Sequence, residues 1–224
     1  MKLQSFQILI AITALTFIAC GGGSGTGYEP DETSNYLVTF TGTWSVETHP
    51  LDFPQSPHFS GLIGAVHNDK VTLWKEGGFA SPGIKQMAET GAKTLLSEEI
   101  SQMIIDGTVY VRLSGVGINT SPGVTSLRLT AHRDYNRVTL VSMLAPSPDW
   151  FVGVSGLSLF ENNDWLIEKE VVLYAYDAGT DSGVTYTAEN QPSNPAEKIR
   201  MINGYSFSDD GTIIPVGKFT FKRL

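Results

Sequence analysis

Two aspartates, Asp177 and Asp181, stand four residues apart in "YDAGTDSG" at the end of an apolar run. The residues between them are too small to build a core. The segment is therefore either a polar turn, in which the carboxylates cap backbone amides, or a loop that holds a positive ion. A third aspartate, Asp149, lies in "APSPDWF" between two strand-like segments. If the strands after it form a hairpin, Asp149 meets the other two at the hairpin's open end.

Three carboxylates in one place need a compensating charge, because like charges raise one another's pKa. Calcium suits such a site, since it takes six to eight oxygen ligands from carboxylates, carbonyls and water. Gly179 would let carbonyls turn toward the ion, whereas zinc prefers nitrogen and sulfur ligands. The spacing is not that of an EF-hand loop, which needs Gly at its sixth position and Glu at its twelfth. Spacing alone leaves the turn-capping alternative open.

Most of the chain alternates apolar and polar residues and is rich in β-branched and aromatic side chains, which indicates strands. The loops that carry these aspartates are therefore expected to connect strands. The pattern predicts strands over 36–44, 108–115, 124–133, 137–144, 151–160 and 165–176, with a closing strand in "VGKFTFKRL". Two pairs, 124–133 with 137–144 and 151–160 with 165–176, are predicted to be hairpins. Short strands separated by turns are typical of an antiparallel sandwich or barrel.

One helical zone interrupts the strands. Ser81 is placed as an N-cap, with Pro82 at the first helical position and Gly91 at the end. The segment 93–105 follows, and its apolar spacing predicts a second helix lying on a sheet face. The fold class expected is therefore mainly β, an antiparallel sandwich with one or two added helices.

Long strings of this sequence resemble the spondin N-terminal domain, also called the F-spondin domain. They are "PSPDWFVGVSGLSLF", "LYAYDAGTDSGVTY", "YLVTFTGTWSVETHPLDFPQSPHFSGLIGAVHN" and "LWKEGGFASPGIKQMAETG", and the resemblance runs from about Tyr36 to about Tyr186. It implies a C2-like antiparallel β-sandwich with added helices. It also implies a divalent cation, taken as calcium, bound through Asp149, Asp177 and Asp181. Animal members carry further cysteines and thrombospondin-type repeats, so their matrix and integrin roles do not transfer intact.

Other candidate sites are weaker. His49, His58 and His67 are evenly spaced, but no HExxH motif is present and structural hydrogen bonding is the plainer account. Ser155 in "GVSGL" lacks the last glycine of a nucleophile elbow. Trp150 neighbours Asp149 in a loop, so we predict that it lies at the rim of the ion site and contacts a ligand.

The amino terminus predicts export. An apolar run over 8–19 is too short to span a bilayer and is typical of a signal peptide. It ends in "FIAC", which resembles the lipobox of bacterial lipoproteins and makes Cys20 the lipidated residue, although Phe17 replaces the usual Leu. We therefore expect a signal peptide over 1–19, a Gly-rich linker over 20–34 and one spondin-like domain over 35–224. Gly21 follows the cysteine, and in bacterial lipoproteins this sorting pattern indicates the outer membrane or cell surface.

Composition narrows the function further. The formal net charge of −8 argues against nucleic-acid binding, which needs a basic face. The hypothesis that follows is a lipid-anchored, calcium-binding module without enzymatic activity, which recognises an extracellular protein or glycan. Two alternatives stay open: a metal-dependent envelope hydrolase, for which His132 is the nearest base in sequence, and a structural periplasmic subunit whose ion is incidental.

Overall fold

A computed structural model describes residues 30–224, so the predicted signal peptide and Cys20 lie outside the described residues. The first strand begins at Thr33, two residues before the expected start of the domain. The strands in chain order are β1 Thr33–Gly42, β2 His58–Phe59, β3 Ile63–His67, β4 Val109–Ser114, β5 Gly123–His132, β6 Arg137–Ala145, β7 Trp150–Ser158, β8 Phe160–Glu161, β9 Asp164–Trp165, β10 Glu168–Leu173, β11 Tyr176–Asp177, β12 Arg200–Met201, β13 Ser208–Asp209, β14 Thr212–Ile213 and β15 Gly217–Arg223.

Two antiparallel sheets form the body of the domain. The first has four strands in the order β10-β15-β1-β5. The second has seven, in the order β12-β11-β7-β6-β3-β4 with β2 added beside β6. Two short hairpins, β8–β9 and β13–β14, stand outside both sheets. This arrangement confirms the predicted antiparallel β-sandwich.

The main core lies between the two sheets, and strand alternation decides which side chains enter it. Val38 and Phe40 of β1 and Phe219 of β15 are fully buried there. In β7, Trp150 and Val152 belong to this core, whereas the intervening Phe151 belongs to a second core on the outer face of the seven-stranded sheet. A two-sided sheet of this kind explains why β6 is buried along nearly its whole length.

Two helices cover that outer face, α1 Pro82–Thr90 and α2 Thr94–Ile105. Ser81 caps α1 as predicted, because its side chain accepts a hydrogen bond from the Ile84 amide, and Gly91 ends the helix in the left-handed conformation. Ile84 and Ile100 pack with the sheet in the second core. Neither helix is long and apolar enough to cross a membrane.

The predicted hairpin of 124–133 with 137–144 is wrong, and that of 151–160 with 165–176 forms only at its ends, where Phe160 pairs with Trp165 and Phe151 with Tyr176. β5 pairs with β1 in the first sheet, while β6 pairs with β3 and β7 in the second, so the 133–136 connection crosses from one sheet to the other. Similarly, β10 leaves β7 and pairs with β15 in the first sheet. Local turns indicate where strands end but do not fix the pairing, because β5 and β6 bury side chains such as Leu129 and Val138 in the same core from its two sides.

Candidate metal centre

Asp149 and Asp177 become neighbours through a two-residue strand. Asp149 immediately precedes β7, and Asp177 ends β11, which pairs with the start of β7 so that Asp177 stands opposite Trp150. The Ala178 amide then donates to the Asp149 carbonyl at 3.1 Å. The juxtaposition that the sequence predicted is thus present, although a crossover through the other sheet produces it and not a hairpin.

Gly179 turns the following loop toward Asp149. Its φ is +74°, and a Cβ at this position would lie 2.4 Å from the Glu197 carbonyl oxygen. Only glycine combines that backbone angle with so close an approach. After the turn, the amides of Thr180 and Asp181 donate to Asp149 Oδ2 at 2.7 and 3.1 Å, and the Thr180 hydroxyl donates to the same oxygen at 3.2 Å.

The Asp149 carboxyl is enclosed and only half satisfied. The residue is 0% exposed, and its second oxygen, Oδ1, is buried without a hydrogen-bond partner. Within residues 30–224, four buried side-chain polar atoms lack a partner, and this is the one carboxylate oxygen among them. Burial, followed by the nearby charge of Asp177, raises the pKa of Asp149 to about 6, against the lowering effect of the Thr180 and Asp181 amides.

Asp177 accepts hydrogen bonds on both oxygens. Oδ1 accepts from the Gly179 amide at 2.7 Å, and Oδ2 accepts from Arg200 Nη2 at 2.7 Å in an ion pair. Burial raises the pKa of Asp177, while the Gly179 amide and the Arg200 guanidinium oppose that rise. Arg200 is 57% exposed at its side chain and also pairs with Glu197.

Asp181 is 4% exposed and closes its own turn. Oδ1 accepts from the Gly183 amide at 2.7 Å, and Oδ2 accepts from the Gln191 amide at 2.8 Å. The turn-capping role that the sequence left open is therefore real for both aspartates of the loop. A carboxylate that caps a turn can still bind an ion, because an ionised carboxylate has about four acceptor positions.

The structure brings the three aspartates to one place but does not arrange them around a common point. Within residues 30–224, no group of three or more His, Cys, Asp or Glu side chains is placed to hold a metal ion. The donor chemistry nevertheless fits a hard cation, since the side chains offered are carboxylates and one buried oxygen lacks any partner. The predicted ligand set of Asp149, Asp177 and Asp181 stays a prediction.

Trp150 is mostly a core residue. It is 3% exposed, and its ring packs edge-on against Tyr186 and Phe207 at centroid distances of 5.3 and 5.4 Å. It also lines an open pocket of about 430 Å³ together with Asp177 and Asp181. Its predicted contact with a ligand stays a prediction.

Sequence reasoning missed Arg200 and Thr180. Arg200 lies 23 residues after Asp177 and reaches it through β12, a strand of two residues that no periodicity could indicate. Thr180 stood inside the quoted loop, and its hydroxyl could have been anticipated as an additional donor to a neighbouring carboxylate.

The weaker candidates have structural roles. His49 is fully buried against Phe207, and burial lowers its pKa to about 4. His67 is buried with Nε2 2.8 Å from the Thr139 hydroxyl, and Ser155 donates to the Trp74 carbonyl. His132 lies at the end of β5 beside Glu32, and the pocket next to Asp177 and Asp181 has no histidine among its lining residues.

Comparison with known proteins identifies the family. The profile named Spondin_N matches residues 34–212. Spondin-1 of Gallus gallus is 38% identical over 76% of this chain, and spondin-1 of Homo sapiens is 34% identical over 86%. Spondin-2 of Homo sapiens is 33% identical over 85% of this chain. The chain spans about a quarter of the length of these spondin-1 proteins and 57% of human spondin-2. It therefore belongs to the spondin N-terminal domain family.

Proposed function

We propose that this chain is a calcium-binding recognition domain of the cell envelope. In this proposal, Asp149, Asp177 and Asp181 hold the ion, Cys20 carries a lipid anchor, and the rigid sandwich presents a surface to an extracellular protein or glycan. Family membership supports the exported, non-enzymatic module. The observation that carries the calcium site is the Asp149 carboxyl, which is fully buried and leaves one oxygen without a partner.

Charge balance supports a divalent ion at this position. Asp149 and Asp177 are both largely buried, and burial raises both pKa values. Arg200 supplies one positive charge, which it shares with the exposed Glu197. An ion with two charges and a preference for oxygen would compensate the remaining carboxylates and give Asp149 Oδ1 a partner. Bound calcium would also hold the loop after β11 against the start of β7.

Thermal melting of the full chain, with calcium and then with a chelator, tests the proposal. A ligand that binds the folded state alone stabilises it by about 3 kcal/mol at a hundredfold excess over its Kd. The expected result is a rise in Tm with calcium that is lost in the Asp177→Asn/Asp181→Asn double variant. An unchanged Tm in millimolar calcium, with no ion found by elemental analysis, would reject calcium binding.

Two further measurements test the rest of the proposal. Radiolabelled palmitate incorporated into the parent chain and absent from Cys20→Ala would support the lipid anchor, and protease digestion of whole cells reports whether the domain faces outward. Binding of the full chain to arrays of matrix proteins and glycans should require calcium and disappear in Asp149→Asn. Binding that is equal in calcium and in chelator would show that the ion has no part in recognition.

A further inference from the structure

A long groove opens between the free edges of the two sheets, away from the aspartates. β5 ends the four-stranded sheet and β4 ends the seven-stranded sheet. β5 pairs with β1 over ten residues, from Gly123 to His132, and β4 pairs with β3. Between β4 and β5 lies a cavity of about 1030 Å³. In the described part of the chain no strand pairs with the outer edge of either, so alternate backbone amides and carbonyls of β5 face this groove unpaired.

The side chains of the groove combine an apolar floor with positive charge. Leu113 and Leu129 are buried at its base, and Tyr110 is 43% exposed at its rim. Arg112 and Arg128 also line it, and neither has an ion pair or a side-chain hydrogen bond within residues 30–224. The described side chains that line the groove include no Asp or Glu. A chain of net charge −8 thus keeps two guanidinium groups that form no ion pair within residues 30–224 beside an open strand edge.

We propose that this groove binds an extended, acidic peptide segment of a partner protein. The segment would pair antiparallel or parallel with the free edge of β5, its backbone completing the unpaired amides and carbonyls. Alternate apolar side chains would lie on Leu113 and Leu129, and glutamate or aspartate side chains would pair with Arg112 and Arg128. Strand addition of this kind takes its affinity from the backbone and its specificity from side-chain pockets and charges. About seven residues would cover the 124–130 edge.

A second copy of this chain fits the groove less well. Two β5 edges paired antiparallel about their centres would bring Arg128 of one copy close to Arg128 of the other, and like charges in close register are unfavourable. Arginine at a strand edge can also serve simply to prevent pairing. That role predicts that removal of the charges promotes self-association and that the groove has no affinity for acidic peptides, so the two accounts give opposite results.

The test uses a fluorescein-labelled peptide of about seven residues that alternates valine and glutamate, titrated with the full chain and followed by anisotropy. Arg112→Glu and Arg128→Glu should each weaken binding about tenfold or more, because each loses a charge-assisted hydrogen bond. Lys70→Glu makes the same charge change at an exposed position outside the groove and should leave binding unchanged. A valine–lysine peptide should not bind.

Backbone pairing is tested separately with N-methylated peptides, which need no change in the protein. Two peptides are compared, one methylated at its odd-numbered amides and one at its even-numbered amides. Only one of the two should lose binding, because only one set of amides faces β5. Equal binding of both methylated peptides would overturn strand addition. So would tighter binding of a heparin-derived oligosaccharide at the same arginines, or a parent chain that does not bind the peptide and forms a dimer when Arg128→Gln removes the charge. The result does not depend on calcium, and addition of chelator should not alter it.

Discussion

Replacement of Asp149 by asparagine should change the stability of the domain in opposite directions without and with calcium. Asp149 is fully buried, and its pKa is about 6 in the fold, well above its ordinary value of 3.8. Keeping this group ionised at pH 7 therefore costs about 3 kcal/mol relative to the unfolded chain. The asparagine side chain can still accept hydrogen bonds from Thr180 and Asp181 through its carbonyl oxygen, and it carries no charge.

In chelator at pH 7, we expect Asp149→Asn to be more stable than the parent by up to about 3 kcal/mol, or roughly 6–12 °C in Tm for a domain of this size. In calcium at about a thousandfold excess over Kd the order should reverse, because the parent then gains about 4 kcal/mol whereas the variant lacks an ion ligand and gains nothing. Asp210→Asn, an exposed aspartate in a turn, is the matched control and should behave as the parent under both conditions.

The sign of the pH dependence follows from the raised pKa. Between about pH 4 and pH 6 the folded state binds more protons at Asp149 than the unfolded state does, so this group stabilises the fold as pH falls. The advantage of the variant in chelator should therefore shrink from its full value above pH 6 to nothing below pH 4. His49, whose pKa is lowered to about 4 by burial, gives the opposite slope, so variant and parent must be compared at each pH.

The assay is urea or thermal unfolding followed by circular dichroism, in chelator and in calcium, from pH 4 to pH 7.5. A variant that is less stable than the parent in chelator at pH 7 would show that Asp149 is a favourable hydrogen-bonded carboxylate and not a destabilising buried charge. A calcium-induced rise in Tm that persists in Asp149→Asn would remove Asp149 from the site.

Three further substitutions test the candidate metal centre and the fold that surrounds it. Arg200→Gln should raise calcium affinity by about tenfold, because it removes a unit charge roughly 6 Å from a divalent ion in a water-like dielectric. Calorimetric titration measures the affinity, with Lys198→Gln as the matched control. Weaker calcium binding by Arg200→Gln would show that Arg200 supports the site. Gly179→Ala should lower the free energy of unfolding by more than ~2 kcal/mol, because this position combines positive φ with a clash against backbone. Gly211 has φ +78° and open space around it, so Gly211→Ala should lower the free energy of unfolding by only about 1 kcal/mol. Equal decreases for the two variants in unfolding experiments would contradict this prediction. Ser81→Ala should cost about 1 kcal/mol through loss of the α1 cap, and an unchanged unfolding midpoint would show that the cap contributes nothing.

Local patterns predicted the elements of this fold well. The Ser81 and Gly91 caps bound α1 because the backbone groups at a helix end need partners, which is a short-range requirement. The alternation of apolar and polar residues predicted most ends of β1, β5, β6, β7 and β15 to within two residues. Pairing was not predictable in the same way. Strands 124–133 and 137–144 are adjacent in sequence but belong to different sheets, and both bury side chains in the core between those sheets, so burial alone did not indicate their partners.

The candidate site shows the same division. Asp149, Asp177 and Asp181 could be chosen as candidates because loops at strand ends often carry functional side chains, and the resemblance to spondin domains pointed to the same three. Arg200 and the Glu197 carbonyl could not be found, since both come from a segment that reaches the site through tertiary contacts and has no periodic pattern. The unpaired oxygen of Asp149 is a property of packing, and no sequence feature records it.

Crystallography can show whether the three aspartates hold calcium. A crystal structure of the full chain grown in calcium, with an anomalous difference map at long wavelength, would show where calcium lies. We expect one peak at about 2.3–2.6 Å from carboxylate oxygens of Asp149, Asp177 and Asp181, with Asp149 Oδ1 among the ligands. A map with no peak there, and with Asp149 Oδ1 still without a partner, would show that these aspartates do not bind calcium.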